Sequence, residues 1–170
     1  MKAIPIGTNN FSKLIEGNYY FVDKTLMIRE FLERKSAVTL ITRPRRFGKT
    51  MNMSMLAEFF DITKDSKEIF EDTKIMDTPY ASEINQYPTI FLSFADAKGD
   101  KKSVVSMIKN QLIMEWKRLR VVFADLDEFD RPRYEYLMKS LTKLDDYDLE
   151  GINNAISFLM ERLKSYYGKD

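Results

Sequence analysis

Leu40-Ile41-Thr42-Arg43-Pro44-Arg45-Arg46-Phe47-Gly48-Lys49-Thr50 is the stretch on which the reading of this chain turns. Before it, Ala37-Val38-Thr39-Leu40-Ile41 is a short apolar run rich in β-branched residues, suited to a strand buried on both faces of a parallel sheet. After it, Lys49–Phe60 has the spacing of a helix that buries Met51, Met55, Leu56, Phe59 and Phe60. A phosphate-binding loop reads Gly, four residues, then Gly-Lys-Ser/Thr, and it lies between a strand and a helix. Gly48-Lys49-Thr50 and its flanks fit that pattern, whereas Arg43 stands where the first glycine belongs.

The chemistry explains the residue types. Successive backbone N–H groups must curl around a phosphate, and a helix N-terminus adds positive potential. Gly48 supplies backbone freedom and close approach. Lys49 would set an ammonium against the terminal phosphates, and Thr50 would offer a hydroxyl to Mg²⁺. Pro44 stiffens the loop, and Arg45 and Arg46 either add phosphate contacts or face water. The candidate nucleotide-binding set runs from Arg43 through Pro44, Arg45, Arg46, Phe47, Gly48, Lys49 and Thr50 to Met51, with Thr50 as the metal ligand. The plain alternative is a basic loop that caps a helix by chance.

Outward from the loop, Phe11–Val22 mixes aromatic and polar residues around Gly17-Asn18, as a short hairpin or an irregular lead-in would. Asp23 reads as an N-cap, and Lys24–Arg34 as a helix with Ile28, Phe31 and Leu32 on one face. For Asp23 and Lys24 the ordinary reading is a cap plus a solvated lysine. The functional reading is a lead-in segment beside the nucleotide. Asp61–Gln86 is polar, broken by Pro79, and reads as short helix and loop. Pro88–Phe94 is a second strand candidate. Ser103–Leu119 and Ile152–Tyr166 are amphipathic helices, the second stopped by Gly168. Strand, loop, helix, strand, helix is the order of an α/β sheet with crossover helices.

Composition narrows the chemistry. The 170 residues are 44% hydrophobic and 31% charged, ordinary for one folded domain. Cysteine and histidine are both absent, which excludes disulfides, thiolate chemistry, imidazole catalysis and the usual zinc sites. Met1-Lys2-Ala3-Ile4-Pro5 leads into polar sequence, so no signal peptide is expected. No run approaches the roughly 18 apolar residues of a membrane span. A cytoplasmic location with no membrane partner is the expectation. Net charge is +1, which argues against a general nucleic-acid binder. Residues 1–60 hold ten Lys/Arg against five Asp/Glu, whereas residues 121–150 hold four against nine. Those are either two solvated surfaces of opposite sign or, in the first third, an anion site.

With Pro5-Ile6-Gly7, Tyr20-Phe21-Val22-Asp23-Lys24-Thr25, Thr42–Thr50, Asn52-Met53-Ser54-Met55-Leu56 and Tyr87–Phe94, the chain resembles the predicted AAA-ATPase-like family of prokaryotes. The resemblance covers nearly the whole chain, and Arg43 in place of glycine is that family's own variant. It implies an α/β, P-loop NTPase-like fold with a parallel sheet core and many helices, and ATP and Mg²⁺ as cofactors. It also implies a Walker B strand after the Tyr166-Tyr167-Gly168-Lys169 segment, and in many members a downstream PD-(D/E)XK nuclease-like region. On this reading residues 1–170 are the N-terminal portion of one P-loop domain, with 1–35 a lead-in and helix and 36–170 a partial core.

Three expectations follow from the resemblance. Nucleotide binding by residues 1–170 is weak or absent and hydrolysis negligible, with no catalytic carboxylate assigned. The strands Val38–Ile41 and Thr89–Phe94 pair directly, flank an open slot, or pair with another chain, so self-association through strand edges is a candidate. Val121–Glu128 imitates a Walker B strand, but Asp125 interrupts it, and Trp116, Leu119, Phe123 and Leu126 continue a helical stripe. Three functional classes stay open: an ATPase module, a non-hydrolysing nucleotide or anion binder, and an interaction domain with a vestigial loop.

Overall fold

The computed structural model describes residues 2–5, 7–42, 44, 47–94, 99–143 and 147–169, and helices are its regular elements. The chain divides into two units, residues 1–89 and 90–170.

In the first unit, α1 (Phe11–Glu16) starts at Asn10, whose side chain accepts the Lys13 N–H at 3.0 Å. α2 (Leu26–Arg34) ends in a left-handed Lys35. α3 (Lys49–Phe60) carries the central apolar face, and α4 (Lys67–Phe70) leads into 3-10 turns at Lys74–Asp77 and Pro79–Glu83. Phe11, Ile28, Met55, Phe59, Phe70 and Ile75 form the fully buried centre. Their rings meet at angles: Phe59 and Phe70 cross edge to face at 5.2 Å, and Phe11 lies 5.1 Å from Phe70. α1 docks on α3 through the Phe11 N–H, which donates to Ser54 Oγ at 3.0 Å.

The last carbonyls of a helix need partners. At the C-terminus of α3 the side-chain amide of Asn85 donates to Glu58 O at 3.2 Å and Asp61 O at 2.9 Å, while its oxygen accepts the Ser66 N–H at 2.8 Å. Asn85 sits at φ 54°, a conformation asparagine tolerates better than most residues.

In the second unit, α5 (Lys101–Arg118), α6 (Asp130–Thr142) and α7 (Leu149–Tyr167) pack on one another around Leu112, Trp116, Leu137, Leu141, Phe158 and Leu159. The sequence reading assigned no element to α6, although Tyr134, Leu137, Met138 and Leu141 stand at helical spacing and all four meet the core, with Leu137 and Leu141 buried. Gly168 ends α7 in the left-handed region at φ 63° and donates to Lys164 O at 2.9 Å, as a C-terminal glycine should.

The expected α/β parallel sheet is overturned. Among the described residues there is no strand, and the one backbone bridge is an isolated parallel pair, Asp61 with Tyr87. A β-branched run becomes a strand only when a neighbouring backbone edge takes its hydrogen bonds. Among the described residues no such neighbour flanks residues 37–42, and Val38 and Leu40 are 85% and 83% exposed. In residues 90–94 the neighbour is a helix. Ser93 N–H donates to Gln111 Oε1 at 2.6 Å, the Gln111 amide returns a bond to Ser93 O, and Phe91 N–H donates to Glu115 Oε2 at 3.3 Å. Side chains of α5 thus stand in for a strand edge, while Ile90 and Leu92 pack against the helical core. Neither run is a strand, which removes the direct pairing expected between them.

The Walker B look-alike is not a strand either. Arg120–Phe123 is a 3-10 turn after α5, and the Phe123 ring lies 4.8 Å from Trp116, in line with the helical stripe. Arg162 clamps this region by donating to Val122 O at 3.2 Å, Asp125 O at 3.2 Å and Asp130 Oδ2 at 3.0 Å. No helix among the described residues is long and apolar enough to cross a membrane.

Candidate phosphate-binding loop

Gly48 is the N-cap of α3 and takes the left-handed conformation, φ 74° and ψ 23°. Side chains strain there, so the geometry explains the glycine that the motif carries. Its carbonyl accepts the Asn52 N–H at 2.8 Å, which starts the helix. As a glycine, the N-cap residue has no side chain with which to cap the helix, and no acidic residue lies in the first turn. The positive end of the helix dipole is therefore not neutralised by its own first turn.

Lys49 folds its side chain back across the loop, and its ammonium donates to Pro44 O at 3.0 Å. Thr50 follows, half-buried, and Met51 packs against the core of the first unit. Phe47 is 59% exposed and Pro44 is exposed. Gly48, Lys49, Thr50 and Met51 thus lie together at the turn from loop to helix, and Lys49 draws Pro44 to them. Arg43, Arg45 and Arg46 lie outside the described residues. Among the described residues no three acidic side chains gather as a metal site.

The second surprise is upstream. The sequence favoured Asp23 as a helix cap; instead Thr25 holds the N-cap position of α2 without a side-chain cap bond. One carboxylate oxygen of Asp23 accepts the Thr25 N–H at 2.8 Å and the Thr25 hydroxyl at 2.7 Å, and the other accepts the Lys74 N–H at 2.8 Å. Thr25, fully buried, accepts the Ile75 N–H on its hydroxyl at 3.1 Å. This staple fixes the start of α2 to the 3-10 turn Lys74–Asp77. Burial raises the Asp23 pKa, but the Thr25 and Lys74 amides and the Thr25 hydroxyl outweigh it, so the carboxyl titrates below its ordinary value.

Between these fixed residues, Lys24 is exposed and reaches the loop: its Nζ lies 4.0 Å from where a Cβ on Gly48 would be, as does Asn52 Oδ1. A solvated lysine was the ordinary sequence reading. The Asp-x-Thr spacing at 23–25 was the signal available, since an aspartate two residues before a threonine makes a local side-chain turn.

Comparison with known proteins gives the family. The family model described as "Predicted AAA-ATPase" matches residues 5–154. An uncharacterised protein in the vnfD 5′ region of Azotobacter chroococcum mcd 1 is 45% identical over 60 residues, which are 35% of this chain and 11% of that protein. The chain therefore spans about a tenth of the length of that relative. No solved structure matches.

Proposed function

This chain belongs to the predicted AAA-ATPase family, and from that premise we propose that the Thr42–Thr50 loop binds the phosphates of ATP together with Mg²⁺. The observation that carries the proposal is the left-handed Gly48 opening α3, with Lys49 beside it and no acidic residue in the first turn. The donor set suits a phosphate: the amides of a helix N-terminus, a positive dipole end and an ammonium.

Lys49 exchanges the Pro44 carbonyl for a phosphate oxygen. That exchange is favourable because a bond between two charged groups is about twice as strong as one to a neutral acceptor. Thr50 would hold Mg²⁺ through its hydroxyl, as a single protein ligand allows for this ion, and the ion would neutralise phosphate charge. Gly48 leaves the approach clear of a side chain.

The test is thermal unfolding with Mg²⁺ and ATP. Ligand at a hundred times its Kd stabilises by about 2.7 kcal/mol, a rise of roughly 5–10 °C in Tm for a chain of this size. Lys49→Ala abolishes most of the rise. The Lys49–Pro44 bond also favours a second reading, in which the ammonium only braces a vestigial loop. No shift at millimolar Mg²⁺ and ATP, with Lys49→Ala lowering the Tm of the free chain, establishes that reading instead.

A further inference from the structure

We propose that Lys24 is a second phosphate-binding cation of this loop, held over Gly48 by the Asp23–Thr25 staple, and that the site takes a polyphosphate with charge enough for both lysines. The inference rests on the reading of Thr42–Thr50 as a nucleotide loop and adds a residue from a different element.

The argument is electrostatic. The Lys24 ammonium lies at the N-terminal end of α3, 4.0 Å from the Cβ position of Gly48. That is the positive end of the helix dipole, where a cation is disfavoured. Among the described residues no carboxylate pairs with it. The nearest candidate in sequence, Asp23, is engaged by the Thr25 and Lys74 amides. Lys49 adds a second ammonium close to the same helix end. Like charges gathered at a positive helix end repel one another unless an anion joins them. A phosphate chain supplies that anion.

The staple makes the placement deliberate rather than incidental. Thr25 is fully buried and bonded on both sides, so the backbone that carries Lys24 is fixed against the Lys74–Asp77 turn. A fixed stem lowers the conformational freedom a lysine loses when it grips a ligand.

The test uses the 170-residue chain, calorimetric titration with Mg²⁺–ATP and with inorganic triphosphate, and the variants Lys24→Gln, Lys24→Arg and Lys49→Ala. The expected result is a loss of roughly tenfold in affinity for both ligands in Lys24→Gln. Lys24→Arg retains most of the affinity, the salt dependence of binding is shallower in Lys24→Gln, and the Tm of the free Lys24→Gln chain does not fall. Lys49→Ala weakening binding while Lys24→Gln stays within twofold of the parent overturns the role of Lys24 and leaves the loop reading intact. A fall in the Tm of free Lys24→Gln with unchanged affinity shows a structural brace and overturns it too. A parent chain that binds neither ligand sinks the loop reading itself, and Lys24 with it.

Discussion

Asp23 concentrates more work than any other charged residue near the loop, because each of its oxygens serves a different element. Replacing it by alanine leaves the Thr25 and Lys74 amides without that acceptor, at a cost of about 1–3 kcal/mol. Asp23→Asn is subtler, and its pH dependence is diagnostic. The carboxyl titrates below its ordinary value when folded, so its contribution is present above the unfolded pKa of about 3.9 and is lost as pH falls through the folded value. The difference in Tm between the parent and Asp23→Asn is therefore constant from pH 5 to 7 and shrinks below about pH 4. Melting curves across that range check it; a difference that grows on acidification contradicts the staple. Thr25→Val removes the hydroxyl that answers both Asp23 and Ile75, and lowers the Tm at every pH.

Among the elements, the ends of helices are where polar side chains decide the packing. Lys109 is fully buried, yet its ammonium donates to Ser140 O and Lys143 O, each at 3.0 Å, at the C-terminal end of α6. A cation at that end meets both the orphan carbonyls and the negative pole of the dipole. Nearby, Asp148 caps α7: it accepts the Gly151 N–H at 2.7 Å and the Ser140 hydroxyl at 2.5 Å. The Ser140 hydroxyl and then the Gly151 amide, with lesser help from the Lys109 and Lys143 charges, hold its carboxyl below the ordinary value against the opposing effect of burial. Lys109→Met keeps the length of the side chain but leaves the buried Ser140 carbonyl and the part-buried Lys143 carbonyl without that donor. We expect a loss of about 2–3 kcal/mol in stability, read by urea denaturation, with little change in the slope of the transition. Ser140→Ala costs less, about 1 kcal/mol, because Asp148 retains the Gly151 amide. The α6 helix went unread although its stripe Tyr134, Leu137, Met138 and Leu141 was there in the sequence; what the sequence could not show is that Lys109 and Asp148 tie down its C-terminal end.

For the whole molecule, the second unit contains its own core: Leu112, Trp116, Leu119, Leu137, Phe158 and Leu159 come from residues 90–170 alone. A polypeptide of residues 90–170 is expected to fold by itself, with a helical circular dichroism spectrum and a cooperative melt; a spectrum of unfolded chain counts against a self-sufficient core. What the sequence determined by itself was whatever depends on neighbours close along the chain. The 3.6-residue stripes placed α3, α5 and α7, Gly168 stopped α7, and Gly-Lys-Thr placed the turn from loop to helix, because helical hydrogen bonds and caps are local. What only the tertiary structure decided was whatever needs a distant partner. Val38–Ile41 and Ile90–Phe94 carry strand-like residues, but a strand is defined by the backbone beside it. In this chain the second run meets Gln111 and Glu115 of α5, and the first meets none among the described residues. Lys24 belongs to the same class. Its residue type and spacing fit a solvated lysine, and only the staple that joins positions 23–25 to 74–75, about fifty residues away, brings its ammonium to Gly48.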